Sequence, residues 1–245
     1  MQKEKNPMEF YCFPSKGLLI ELVDEQSISR SYKHYYCGIH DAHGVECPNC
    51  KKPLLRFLSL DTRDPRLELS DCPFKALPLL FCWTCKIAYD VFSYKILENN
   101  SIAIINYRKG LIGNNFPYED YPDHFREKPI ILVPIKEEIQ DFLKNLNDKA
   151  YSSSKYKKEH RDFFIPQHQI GGEPLMLEPL LAQLKCSQCK KRMPLFASIG
   201  NQSSSERGFA NNPKVQVLYF YCQRCYIISC FQQCEFYHLN KLINI

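Results

Sequence analysis

The chain has 245 residues, of which 44% are hydrophobic and 13% aromatic, so its length and composition suit one large domain or two small ones with a packed core. Its formal charge of +5 is too mild to mark a nucleic-acid binder, which usually concentrates its basic residues in a patch. With only 9 glycines the chain has neither a GxGxxG nor a GxxxxGK[ST] loop, no apolar run reaches membrane-span length, and the polar start MQKEKNPMEFYCF lacks the apolar core of a signal peptide.

In chain order, GLLIELV over Gly17 to Val23 reads as a first strand. His34, His40 and His43 flank Cys37, and any of them is a reserve ligand for a metal site that follows. Cys47 and Cys50 then form a Cys-x-x-Cys pair that runs into the apolar stretch Leu54 to Leu60. After the turn-rich DTRDPRLELSDCP, a second apolar stretch, Leu77 to Phe81, leads into Cys82 and Cys85. Lys86 to Leu97 and Ile102 to Tyr107 read as a hairpin closed at Glu98 to Ser101, residues 110 to 128 as a loop, and Ile130 to Val133 as a short strand. Pro134 is placed to open a helix. Ile135, Ile139, Phe142, Leu143 and Leu146 fall on one face, and Glu137 and Glu138 sit in the first turn. That face reads most simply as a core stripe.

The polar, basic stretch 147–162 reads as a linker or exposed loop. Within it Lys155, Lys157, Lys158 and Arg161 lie beside Tyr156, a candidate partner surface. Basic and aromatic residues together suit RNA contact, whereas the interspersed Asp148, Glu159 and Asp162 suit a solvated linker. Beyond it the pattern returns: Cys186 and Cys189, the strand-like Met193 to Ile199, the polar GNQSSSERGFANNP, the strand-like Val215 to Tyr221, then Cys222 and Cys225.

Eight of the 13 cysteines thus fall into four Cys-x-x-Cys pairs. Two intervening residues let a tight turn aim both sulfurs at one point, and two such turns supply the tetrahedral thiolate set that Zn²⁺ prefers. A lone pair of this kind is ambiguous with a redox motif, but a thioredoxin-like site needs a βαβ context that this sequence lacks. The odd cysteine count and the missing signal peptide also favour metal in a reducing cytoplasm over disulfides. Cys50 and Cys82 are separated by 31 residues, Cys189 and Cys222 by 32. This pairs Cys47, Cys50, Cys82 and Cys85 around one zinc, and Cys186, Cys189, Cys222 and Cys225 around a second. Cys186 follows Cys47 by 139 residues, Cys222 follows Cys82 by 140, and CPNCKKPLLRFLSL lies over CSQCKKRMPLFASI with Lys51/Lys190, Lys52/Lys191, Phe57/Phe196 and Ser59/Ser198 identical. The expected fold is therefore α+β and β-rich, an internally duplicated sheet scaffold with two zinc-ribbon knuckle units and few helices. Residues 1–146 form the first half, with its ribbon at 47–85 and a C-terminal helix. Residues 163–245 form the second, with its ribbon at 186–225. Cys12, Cys37 and Cys72 read as buried thiols. Cys230 and Cys234 with His238 form a weaker candidate for a further metal site.

The segment HQIGGEP followed by LLAQLKCSQCKKRMPLFASI resembles the YwqG-like proteins and, more distantly, the programmed-cell-death-2-like proteins. The resemblance rests on Gly171, Gly172, Pro174, Cys186, Cys189, Met193 and Phe196 and covers about 35 residues. Leu175-Met176-Leu177 stands where that family commonly has an aromatic. The first half has no clear Gly-Gly-x-Pro, its nearest segment being Gly38 to Gly44. The resemblance implies a duplicated β-rich fold that binds a protein, either as an immunity protein against a toxin or as a chaperone for a client. A closed four-thiolate shell does not catalyse, and no Ser/His/Asp, HExxH or deaminase-type constellation is present, so an enzyme is not expected. A nucleic-acid-binding zinc-ribbon protein is the alternative.

Overall fold

The computed structural model describes residues 11–24, 31–40, 45–69, 72–85, 91–98, 101–110, 118–149, 168–176, 184–201, 209 and 215–234. In chain order its strands are β1 (Leu18–Leu22), β2 (His34–Tyr36), β3 (Leu55–Asp61), β4 (Ala76–Phe81), β5 (Phe92–Ile96), β6 (Ile102–Asn106), β7 (Lys128–Pro134), β8 (His168–Ile170), β9 (Leu195–Gly200), β10 (Val215–Cys222) and β11 (Ile227–Cys234). A single α-helix among these residues, α1 (Glu137–Lys149), separates β7 from β8. All strands join one antiparallel sheet in the order β4-β3-β2-β7-β1-β8-β9-β10-β11-β5-β6.

The sheet repeats its own register. Leu58 pairs with Leu79, Ser59 with Pro78, Leu60 with Leu77 and Asp61 with Ala76. Ala197 pairs with Tyr219, Ser198 with Leu218, Ile199 with Val217 and Gly200 with Gln216. The second set follows the first by 139 residues on one strand and 140 on the other. Each ladder has one irregularity, and it leaves Phe57 in β3 and Phe196 in β9 as the extra residue. The outer closing bonds also correspond, Thr62 N–H donating to Lys75 O at 3.2 Å and Asn201 N–H to Val215 O at 2.9 Å. β2 lies against β3 as β8 lies against β9, and β7 and β1 meet as the central pair.

Strands from before the helix also flank those from after it. β5 pairs with β11, not β4, and β6 is outermost. The sheet curls until these ends meet. Tyr94 Oη on β5 accepts from Leu80 N and donates to Pro78 O, both at 2.9 Å, so one tyrosine occupies backbone groups on the outer edge of β4. Tyr219 Oη donates to Leu80 O at 3.3 Å from β10. This satisfies backbone groups that an unpaired edge leaves open.

β10 shows why its sequence is apolar throughout. Val215, Val217, Tyr219 and Tyr221 enter the main core, while Leu218, Phe220 and Cys222 face a second cluster with Met176, Cys186, Met193, Leu195, Cys225 and Ile227. Alternate side chains point to opposite faces, so a strand buried on both cannot alternate in polarity.

Two expectations are corrected here. Pro134 does not open the helix. It closes β7 opposite Leu18, and Ile135 N–H continues the ladder to Gly17 O at 2.9 Å. A proline at a strand terminus forfeits no ladder bond that the next residue cannot replace. The helix begins at Glu137 and runs to Lys149, past the expected boundary at 146, with Leu143 buried and Ile139 and Phe142 half-buried.

A buried polar network fixes β2 against the turn after β3. Asp61 N–H donates to His34 Nδ1 at 3.1 Å, so Nε2 carries the proton and donates to Asp64 Oδ2 at 2.9 Å. Arg66 grips the same carboxylate and reaches Leu132 O at 2.5 Å. Burial lowers the His34 pKa more than the Asp64 contact raises it. A folded value below the unfolded one means the folded state binds fewer protons, so this contribution is complete above about pH 6.5 and is lost as pH falls through the folded value. We expect His34→Gln to flatten that part of the stability profile, read from urea midpoints between pH 8 and pH 5. An unchanged slope would exclude His34 as its source.

Candidate metal centres

Each first knuckle is built by the same backbone bonds. Cys47 N–H donates to Lys52 O at 2.7 Å and Lys51 N–H to Cys47 O at 2.9 Å. Cys186 N–H donates to Lys191 O at 2.8 Å and Lys190 N–H to Cys186 O at 3.0 Å. The turn is completed by a left-handed residue, Lys51 at φ 63° and Lys190 at φ 60°. A short antiparallel bridge then closes each knuckle, Glu46 with Pro53 and Lys185 with Arg192. The second knuckles continue from the ends of β4 and β10, so the shared ladder register brings each to its partner.

Cys47, Cys50, Cys82 and Cys85 converge with their sulfurs all within 4.8 Å of one another, and so do Cys186, Cys189, Cys222 and Cys225. The expected grouping is the observed one. The Cys50–Cys82 and Cys189–Cys222 sulfurs are each 3.7 Å apart. Tetrahedral coordination with metal–sulfur bonds near 2.3 Å has an edge of about 3.8 Å, whereas a disulfide needs about 2.05 Å. Among the described residues twelve cysteines, these eight included, are free thiols. Both sets fit a metal ion.

Crowding makes the thiols unequal. A hydrogen bond from Cys82, with help from the Cys50 and Asn49 N–H groups, holds Cys47 down to about 5 against its burial, while burial pushes Cys50 up to about 11. In the other set the Lys191 N–H leads in holding Cys189 down to about 7, and burial pushes Cys222 and Cys225 up. Neighbouring thiols thus compete for negative charge, and a bound dication relieves that competition by favouring the thiolate at every position.

The first set lies within the main core, with Trp83 between its second pair of cysteines and Tyr121 alongside. Tyr121 Oη accepts from Trp83 N at 3.4 Å and donates to Pro53 O at 3.0 Å, and Lys52 Nζ lies 4.9 Å from the ring centre. The second set has the smaller apolar cluster around it.

The remaining candidates are placed as follows. Gly171 and Gly172 form a left-handed pair at φ 58° and 57°, and Gly171 N–H donates to Phe196 O at 2.8 Å. A methyl on Gly171 would lie 2.3 Å from Pro14 O, and one on Gly172 2.7 Å from Gly17 Cα. Pro174 is buried beside Asn147 of α1, whose Nδ2 donates to Pro174 O at 2.8 Å. Gly172 and Pro174 lie against Gln140 and Asn147 of α1, and Gly171 of the glycine pair lies against Pro14. The counterpart of that pair in the first half is Cys37-Gly38, at φ 57° and 90°, with Cys37 N–H donating to Phe57 O at 2.8 Å. The sequence reading began its nearest segment at Gly38 and left out Cys37, because Cys37 precedes Phe57 by 20 residues whereas Gly171 precedes Phe196 by 25.

We expect Gly171→Ala to lose about 3 kcal/mol, combining left-handed strain with a backbone clash. Gly110→Ala, at φ 77° with no atom near its added methyl, should lose about 1 kcal/mol. Equal losses in urea unfolding would show that the close approach to Pro14 carries no weight.

His34 and His40 are not near-ligands. His34 bonds Asp64, and His40 Nε2 lies 2.8 Å from Leu54 O; His43 is outside the described residues. Cys230 is enclosed in the main core, where burial raises its thiol well above the usual range, while the side chain of Cys234 and all of His238 are outside the described residues. Cys37 is buried and Cys12 half-buried, both thiols pushed up to about 12, first by burial. Cys72 is half-buried, 3.9 Å from Tyr221 Oη. Lys155, Tyr156, Lys157, Lys158 and Arg161 lie outside the described residues. No helix among the described residues is long and apolar enough to cross a membrane. No family model, curated protein or solved structure matches this chain.

Proposed function

We propose that this chain is an internally duplicated, zinc-stabilised protein-binding module of the cytoplasm. In this reading it is a divergent YwqG-like protein that holds either a toxin it neutralises or a client it escorts. The observation that carries the reading is the pair of four-cysteine clusters at corresponding places in two ladders of equal register. Thiolates suit zinc, and four of them fill a tetrahedral shell with no position left for substrate, so the metals serve as pins. Two pins spare the core from fixing the strand ends. They leave the outer surface of the sheet and the long loops to bind a partner.

The left-handed pair Gly171-Gly172, and Cys37-Gly38 at the matching place, support the family reading, as does the shared extra phenylalanine. The test is affinity purification of the tagged full chain from its native host at about 0.5 M salt, followed by calorimetry with the purified partner. A stoichiometric partner with submicromolar Kd supports the reading. Repeated isolation of the chain alone would sink it.

A further inference from the structure

The two knuckle tips differ in charge although their backbones agree. Glu46 and Pro53, which close the first tip, correspond to Lys185 and Arg192 in the second. Thr84, between the cysteines of the first site's second pair, corresponds to Arg224. Lys190 and Lys191 keep the positive charge of Lys51 and Lys52. The second tip thus gathers Lys185, Lys190, Lys191, Arg192 and Arg224, with no acidic residue in 184–194 or 222–226. Lys95 joins them from β5, its Nζ 3.3 Å from Gln188 Oε1. Lys185, Lys190, Lys191 and Arg224 are exposed.

A metal dication with four thiolates carries a net charge of −2, and six cations exceed what is needed to balance it. One carboxylate, Glu173, acts on the Cys12 thiol in opposition to Arg192, and it accepts a hydrogen bond from Asn147 Nδ2 at 2.8 Å. Beside the cations stands Tyr11, 52% exposed, with the Arg192 guanidinium carbon 5.6 Å from its ring centre.

We propose that this second knuckle tip binds the phosphodiester backbone of single-stranded nucleic acid, with a base stacked at Tyr11. Concentrated cations suit either phosphates or an acidic peptide. The exposed ring beside a guanidinium favours nucleic acid, because an unpaired base has a face to stack and an acidic side chain does not. None of its residues belongs to the 155–161 stretch, and the proposal stands whether or not a protein partner exists.

The experiment is fluorescence anisotropy of the full metal-loaded chain with a labelled 20-nucleotide mixed-sequence RNA, at salt from about 50 to 200 mM. Each phosphate contact on a single strand contributes about −0.7 to the slope of log K against log salt, so four to six contacts give a slope of about −3 to −4. K190E/K191E/R224E should weaken binding at least tenfold and flatten the slope by about 2. Tyr11→Ala, which leaves the charge intact, should weaken binding about fivefold or more with little change in slope. K51E/K52E at the first tip should bind within about twofold of the parent. Metal content and circular dichroism of each variant establish that it is folded. Absent binding, a flat salt response, or equal losses at both tips would overturn the proposal. So would a 20-residue polyglutamate that binds as tightly as the RNA.

Discussion

Purified without chelator, the protein should contain two zinc ions per chain by elemental analysis, and stripping them should unfold it. Structural zinc contributes about 10–16 kcal/mol in small modules, against about 5–15 kcal/mol for the whole stability of an ordinary domain. Loss of both ions therefore exceeds the entire folding free energy, while a chain that keeps one ion keeps the ladder around it. Release should occur in two phases. The second cluster, where Cys222 and Cys225 are 7% and 6% exposed within a small apolar shell, should yield first. The first, within the main core behind Trp83 and Tyr121, should follow more slowly. Cys82→Ser and Cys222→Ser should each abolish one site and sharply lower the urea midpoint, with the other ion retained. Cys230→Ala, a buried cysteine outside both clusters, should cost only about 1–3 kcal/mol and keep both metals. A chain that keeps its circular dichroism and cooperative unfolding after complete chelation would refute the structural role. A chain that loses both ions in one phase would refute the difference between the sites.

The two cysteine clusters were legible in the sequence because their geometry is local. Cys-x-x-Cys spacing makes the turn, and the near-equal separations of 31 and 32 residues select the partner turn. The four strands of the two cysteine-bearing ladders were legible because they are apolar runs bounded by these turns. What was not legible is non-local or short. β2 and β8 have three residues each, too few for a period to register, and they exist because β3 and β9 supply the ladder. The placement of β5 beyond β11 depends on the curl that brings Tyr94 to Leu80 and Pro78, a contact no spacing announces. Pro134 misled because proline is equally compatible with the first turn of a helix and the last position of a strand. The Cys37-Gly38 turn was hidden by a five-residue difference in loop length and by a cysteine occupying a conformation usually left to glycine. The 155–161 stretch is conspicuous in sequence, while the six cations at the second tip come from three separate segments and become one patch only when the knuckles close.

Phe57→Ala should be the most damaging single change away from the cysteines. Phe57 is the extra residue in the β3–β4 ladder and is wholly buried. Its ring lies 4.9 Å from both Trp83 and Phe209, 5.7 Å from Phe81 and 6.4 Å from Tyr219, the last two strand partners coming from β4 and β10. Removing a buried phenylalanine costs about 3–5 kcal/mol, and the loss of several ring pairs places this one at the upper end. Phe196 occupies the corresponding irregularity but has only Phe13 at 6.5 Å and Tyr221 at 5.7 Å among its ring contacts in the described residues. Phe196→Ala should therefore cost less, measured as a smaller fall in urea midpoint at unchanged m. The effect of Phe57→Ala should also reach the first metal. Trp83 stacks on Phe57 and stands between Cys82 and Cys85, so a cavity beneath it loosens the cover of that cluster. The slow phase of chelation should then accelerate toward the fast one, while in Phe196→Ala it should not. If both variants lose equal stability and the slow phase is unmoved, the aromatic cluster packs the core without restraining the metal, and the closure of the first site must come from Tyr121 and its bonds to Trp83 and Pro53.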